Sequence, residues 1–121
     1  MSWISGLESR RPDELQLVTE ADLQRLVTDA AELYGWSWAH FRPAQTARGW
    51  RTPVEGPIGA GFPDLILARP RDHRLLFVEL KSDIGKISEQ QRFVHDVLTE
   101  AYAPVWIVRP KSIDLFLDHL R

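Results

Sequence analysis

The chain predicts an α/β fold of the α+β kind, a mixed sheet packed by helices, with elements in the order α-β-β-β-α-β-α. Three observations lead there. Apolar residues recur at helical spacing in three stretches, near 19–34, 88–101 and 112–120. Two nearly continuous apolar runs, 64–69 and 74–81, flank the polar turn Pro70-Arg71-Asp72-His73, which is a hairpin signal. A third apolar run, 104–108, stands alone between the second and third helical stretches.

Residues 1–18 mix polarity, carry Arg10-Arg11 and Pro12, and are expected to form a loosely docked arm ahead of a single domain, 19–121. Thr19 is placed to cap a first helix, Glu20 and Asp22 suit its positive end, and Gly35 ends it. Leu23, Leu26, Val27, Ala30 and Tyr34 form its buried stripe, and Glu20 falls on that stripe, where a carboxylate needs a partner. A strand follows over 36–41, with Trp36 and Trp38 on one face and, like Trp106, assigned to the core. From Arg42 to Phe62, prolines and glycines break the pattern into one long loop, a length that favours a functional role. The hairpin strands are apolar enough to be covered on both faces. Ser88, with Gln91 three residues on, predicts a capping box for a helix that buries Val94, Val97, Leu98 and Ala101. Ser112 is placed to cap the last helix, with Ile113, Phe116, Leu117 and Leu120 at i, i+3, i+4 and i+7.

Composition narrows the function classes. No cysteine is present, which excludes disulfides, thiolate zinc sites and a cysteine nucleophile. No apolar run approaches the roughly 18 residues of a membrane span, and the N-terminus lacks a signal pattern, so a cytoplasmic domain is expected. The net charge of −2 means that nucleic-acid binding would need a local basic patch. The histidines show no helical ligand spacing; His73, His95 and His119 read as surface residues and His40 as structural.

A hairpin centred between Arg71 and Asp72 sets Asp64 directly across from Glu79. Lys81, two residues on, emerges on the same face as Glu79. Facing carboxylates repel and call for a cation. Lys81 offsets part of this, and a hard divalent ion such as Mg²⁺ offsets more. Glu20 is a candidate to complete the acidic cluster. The bland counterpart is a solvated strand-end ion-pair network.

Gly61-Phe62-Pro63-Asp64-Leu65, Phe77-Val78-Glu79-Leu80-Lys81-Ser82, Gly85-Lys86 and Ser88-Glu89-Gln90-Gln91 together resemble the PD-(D/E)XK nuclease superfamily, and within it the small VRR-NUC (virus-type replication-repair nuclease) branch. The likeness spans about Glu20 to Leu120, and the resemblance implies a restriction-endonuclease-like αβββαβ core with a C-terminal helix. It further implies a Mg²⁺- or Mn²⁺-dependent DNA endonuclease, with Asp64, Glu79 and the Leu80 carbonyl as metal ligands and Lys81 acting on the attacking water and the phosphate. Glu20 matches the first-helix acid and is implied as a further metal ligand, with Asp22 as competitor. Gln91 matches the glutamine of the following helix, with Gln90 as its neighbour.

Arg42, Arg48 and Arg51, with Trp50 among them and no acid between, form a basic stretch leading to the site; Lys86 is a further phosphate-contact candidate. Arg69, Arg71 and Arg74 surround the far turn and read as surface charge. The expected partner is DNA, branched forms such as a four-way junction or flap included. One site cuts one strand, so cutting two calls for a homodimer. The alternative is a nucleic-acid-binding module with the same fold and no turnover.

Overall fold

The computed structural model describes residues 18–41, 44–47, 49–51 and 54–121, and for 44–46, 50 and 51 the backbone alone. Helix α1 (Glu20–Leu33) begins with a full capping box: Thr19 Oγ1 accepts the Asp22 N–H at 3.1 Å and Asp22 Oδ2 accepts the Thr19 N–H at 3.0 Å. Strand β1 (Ser37–His40) follows, then β4 (Leu65–Arg69), β5 (Arg74–Leu80), helix α2 (Glu89–Glu100), β6 (Val105–Val108) and α3 (Ile113–His119). These strands form one sheet in the order β1-β4-β5-β6, antiparallel except for the β5–β6 pair. The parallel pair is possible because α2 carries the chain back between its two strands. No helix among the described residues is long and apolar enough to cross a membrane.

The stretch expected to be one long loop contains more structure. Strands β2 (Ala44–Thr46) and β3 (Gly49–Arg51) pair as a separate small hairpin, and Gly59–Gly61 forms a 3₁₀ turn. Strands of three residues with few apolar side chains leave no alternation to read. Arg42 and Arg48, assigned to substrate contact, lie outside the described residues, as does the predicted arm up to residue 17. Val18, assigned to that arm, is buried in the core.

The two faces of the sheet differ, and the difference positions the site. Leu65, Leu67, Leu76, Val78 and Leu80 pack with Leu23, Val27, Ala30 and Ala31 of α1 and Ile113, Phe116, Leu117 and Leu120 of α3 in the main core. Residues of β5 between these point to the other face. There Phe77 packs edge-on against Phe62, which packs edge-on against Phe41, and Glu79 meets α2. Strand β5 is therefore covered on both faces from Leu76 to Leu80, as predicted, whereas β4 is buried on one face and only half-buried at Ile66 and Ala68 on the other.

Several side chains depart from expectation. Trp38 is partly exposed, its Nε1 donating to Glu32, while Trp36 is buried with its Nε1 donating to the Leu120 carbonyl at 2.8 Å. Val97 and Ala101 face solvent; the inward side of α2 is Val94 and His95, with Gln91 and Leu98 half-buried. Ser112 does not cap α3 through its side chain, because its Oγ accepts the Arg109 N–H instead. Arg69 is no surface charge: it is 3% exposed and donates to the carbonyls of Leu120 and Arg121.

The 3₁₀ turn lies directly on the start of α2. A Cβ at Gly61 would stand 2.5 Å from the Gln90 carbonyl oxygen and 2.9 Å from Gln91 Cα, both backbone. Gly61→Ala should therefore push α2 from the turn that delivers Asp64, costing about 1–3 kcal/mol of stability in urea unfolding.

Candidate metal and nucleic-acid site

Strand register brings the carboxylates together. Leu65 pairs with Val78, and one further step sets Asp64 opposite Glu79, as the turn centre between Arg71 and Asp72 predicted. One step beyond, Pro63 stands opposite Leu80. Proline has no N–H to give the Leu80 carbonyl, so the ladder stops there. The Leu80 N–H turns instead to Asp64 Oδ2 at 2.7 Å, fixing that carboxylate, while the Asp64 carbonyl accepts the Phe41 N–H at 2.9 Å. The Pro-Asp pair thus ends the ladder, anchors an acid and leaves a backbone oxygen at the same edge.

A cleft of about 460 Å³ opens at this edge, lined by Glu20, Ala21, Gln24, His40, Phe41, Asp64 and Leu80. Glu20 does not point inward as its spacing suggested; it is exposed at the start of α1 and faces the cleft. Partial burial and the charge of Asp64 raise its pKa, against the pull of Lys81. Asp22, its competitor, closes the capping box.

Glu79 is the buried member, at 2% exposure. Burial, then the hydrogen bond and charge of Asp64, push its carboxyl from 4.5 up to about 9, with Lys81 pulling the other way. On its far side Glu79 Oε1 meets His95 Nε2 at 3.3 Å, and that imidazole is 8% exposed with its pKa lowered by burial. The surface assignment of His95 is thus overturned. Its signal was the spacing Gln91, Val94, His95, Leu98, a helix stripe with a histidine in an apolar slot. Gln24 and His40 were likewise not singled out for the cleft they line, since their approach depends on how α1 and β1 flank Asp64.

Gln91 is half-buried in the first turn of α2, where its Oε1 accepts the Ser88 N–H at 2.9 Å in the predicted capping box. Gln90 is exposed and reaches back to the Pro57 carbonyl. Lys86 is exposed on the loop after Lys81. Arg109 braces that loop, donating to the Ser82 and Gly85 carbonyls at 2.6 Å each. Trp50 and Arg51 lie in β3, described by backbone alone.

The donor set fits a hard cation. Among the described residues no three His, Asp or Glu side chains are grouped so as to hold a metal ion. Two carboxylates with a free carbonyl suit Mg²⁺, which keeps waters and takes the rest of its shell from substrate phosphate. The burial of Glu79 and the nearby negative charge of Asp64 both disfavour an ionised carboxylate, which a cation's charge would offset.

A mixed sheet whose central hairpin ends in Asp64, Glu79 and Lys81, flanked by helices, defines a nuclease-type fold of the PD-(D/E)XK class. Residues 43–111 match the family model of the VRR-NUC domain, and the chain belongs to that family. A solved structure titled as a VRR-NUC domain is similar over 83% of this chain and 95% of its own, with TM-score 0.64 and 24% identity, which speaks for the fold. No curated protein matches.

Proposed function

We propose that this protein is a Mg²⁺- or Mn²⁺-dependent endonuclease that hydrolyses DNA phosphodiester bonds, with branched DNA (a four-way junction or flap) as its preferred substrate and a homodimer as its working form. The observation that carries the reading is the register that faces Asp64 with Glu79 at the end of the hairpin, with the charge of Lys81 close by.

In this reading Asp64, Glu79 and the Leu80 carbonyl hold the ion, and Glu20 adds negative charge at the cleft rim. The bound ion supplies a more acidic water and neutralises phosphate oxygens. Lys81 orients the attacking water and stabilises charge on the phosphate. Gln91 keeps the start of α2 in place beside the acids, or reaches the water with its amide. Lys86 and the 42–51 segment, with Arg42, Arg48, Trp50 and Arg51, contact the DNA backbone and bases.

The test is cleavage of labelled single-stranded, duplex, flap and four-way-junction DNA with Mg²⁺, Mn²⁺ or EDTA. Cutting should require the metal, favour a branched form, and fall about 10²–10³-fold in Lys81→Ala. Cutting that persists in Lys81→Ala overturns the site assignment. Tight binding with no cutting identifies the silent binding module.

A further inference from the structure

We infer that His95 is a positioning residue for the metal ligand Glu79, a second layer that holds the ligand's orientation through its Oε1. The inference rests on the metal reading above. It begins from placement: Glu79 and His95 are brought together although they lie on different elements, β5 and α2, with 16 residues between their positions. On α2 the inward stripe is Gln91, Val94, His95 and Leu98, so an apolar residue would ordinarily fill the place of His95.

The two sides of Glu79 are held differently. Its Oε1 meets His95 Nε2 at 3.3 Å, while the strand register sets Asp64 directly across from it on the β4 side of the hairpin. Asp64 is itself held by the Leu80 N–H at 2.7 Å. Both facing acids are therefore braced by groups of the fold, Glu79 by His95 and Asp64 by the β5 backbone. An ionised carboxylate only accepts hydrogen bonds, so with Glu79 ionised the His95 Nε2–H is the donor. A ligand that binds an ion through one oxygen keeps its rotation only if the other is tied, which is the usual service of an outer-shell donor. His95 is 8% exposed and on the α2 side of the sheet, whereas the cleft lining comes from α1, β1 and the β4–β5 edge. It thus acts through Glu79 and not on DNA.

The experiment titrates Mn²⁺ alone, without DNA, into wild type, His95→Leu, His95→Ala and His95→Gln by calorimetry, with circular-dichroism melts of each. His95→Leu and His95→Ala should weaken Mn²⁺ binding about 10–100-fold. His95→Gln, whose amide N–H can replace the Nε2–H donor, should recover most of the loss. At saturating Mn²⁺ the cleavage rate of His95→Leu should return close to wild type, so the defect lies in the metal requirement and not in turnover. A folded His95→Leu or His95→Ala that binds Mn²⁺ like wild type overturns the inference and leaves the metal reading standing. A glutamine variant as weak as the leucine one also overturns it. Wild type that binds no Mn²⁺ overturns the metal reading itself, and this inference with it. If the leucine variant does not fold, the alanine and glutamine pair decides.

Discussion

Glu79→Gln is expected to give a protein that is more stable without metal and inactive with it. The structure places the Glu79 carboxyl, 2% exposed, against Asp64, and holds its pKa up at about 9 against 4.5 in the unfolded chain. The sign follows from proton counting. Between those values the folded protein binds a proton that the unfolded chain has released, so stability falls as pH rises. The contribution is fully present below about 4.5 and is lost as pH climbs through about 9. A neutral amide of the same shape removes that slope and should raise stability at pH 8 by about 1–3 kcal/mol. Divalent metal should stabilise wild type increasingly as pH rises from 6 to 8, because it takes the place of the proton. It should not stabilise the variant, whose cleavage should fall about 10³-fold or more. Melts across pH with EDTA or Mn²⁺ check each part. A Glu79→Gln variant less stable than wild type at pH 8 without metal would show that the acid pair carries no stored repulsion.

Arg69→Met should produce the largest loss of stability, with the acid site untouched in its chemistry. Arg69 Nε and Nη2 donate to Asp72 at 2.9 and 2.8 Å, Nη1 donates to the Tyr34 and Leu120 carbonyls, and Nη2 also reaches the Arg121 carbonyl. The guanidinium lies 4.6 Å from the centre of the Trp36 ring, whose own Nε1 donates to Leu120. One side chain thus ties the end of α1, the hairpin turn and the end of α3. Methionine fills the space but removes the donors to the Tyr34 carbonyl and the Asp72 carboxylate and leaves the Leu120 carbonyl with Trp36 alone. A fall in Tm of about 10 °C or more is expected by calorimetry. Arg69→Lys should recover little, since an ammonium cannot match the planar fork that reaches all four partners. The same bond holds the Asp72 carboxyl below its ordinary range, a contribution present above about 3.8 and lost as pH falls through the lowered value.

These residues show where a reading of the chain succeeds and where it stops. Both capping boxes, Thr19 with Asp22 and Ser88 with Gln91, or the helix starts that they mark, are local, spanning three residues each. The α2 box and the start of α1 were therefore legible. The Asp64–Glu79 pairing was legible as well, because a hairpin with a known turn centre has one register and each strand alternates faces. Polar burial was not legible. His95 and Arg69 look like surface residues until the partner that satisfies each is known, and those partners lie 16 and as many as 52 positions away. Hydropathy says which residues avoid water, but not which polar group another segment will meet.

The chain by itself therefore determined the order of the helices and of the four main-sheet strands, the register of the β4–β5 hairpin and the facing of Asp64 and Glu79, because turns, caps and two- and 3.6-residue periods act over short range. Tertiary structure decided the rest. It set Glu20 at the cleft while Asp22 closed the helix cap, turned His95 onto the back of Glu79, and sank Arg69 among backbone carbonyls. Each of those outcomes depends on desolvating a polar group against a partner, and only the packed fold brings the partner within reach.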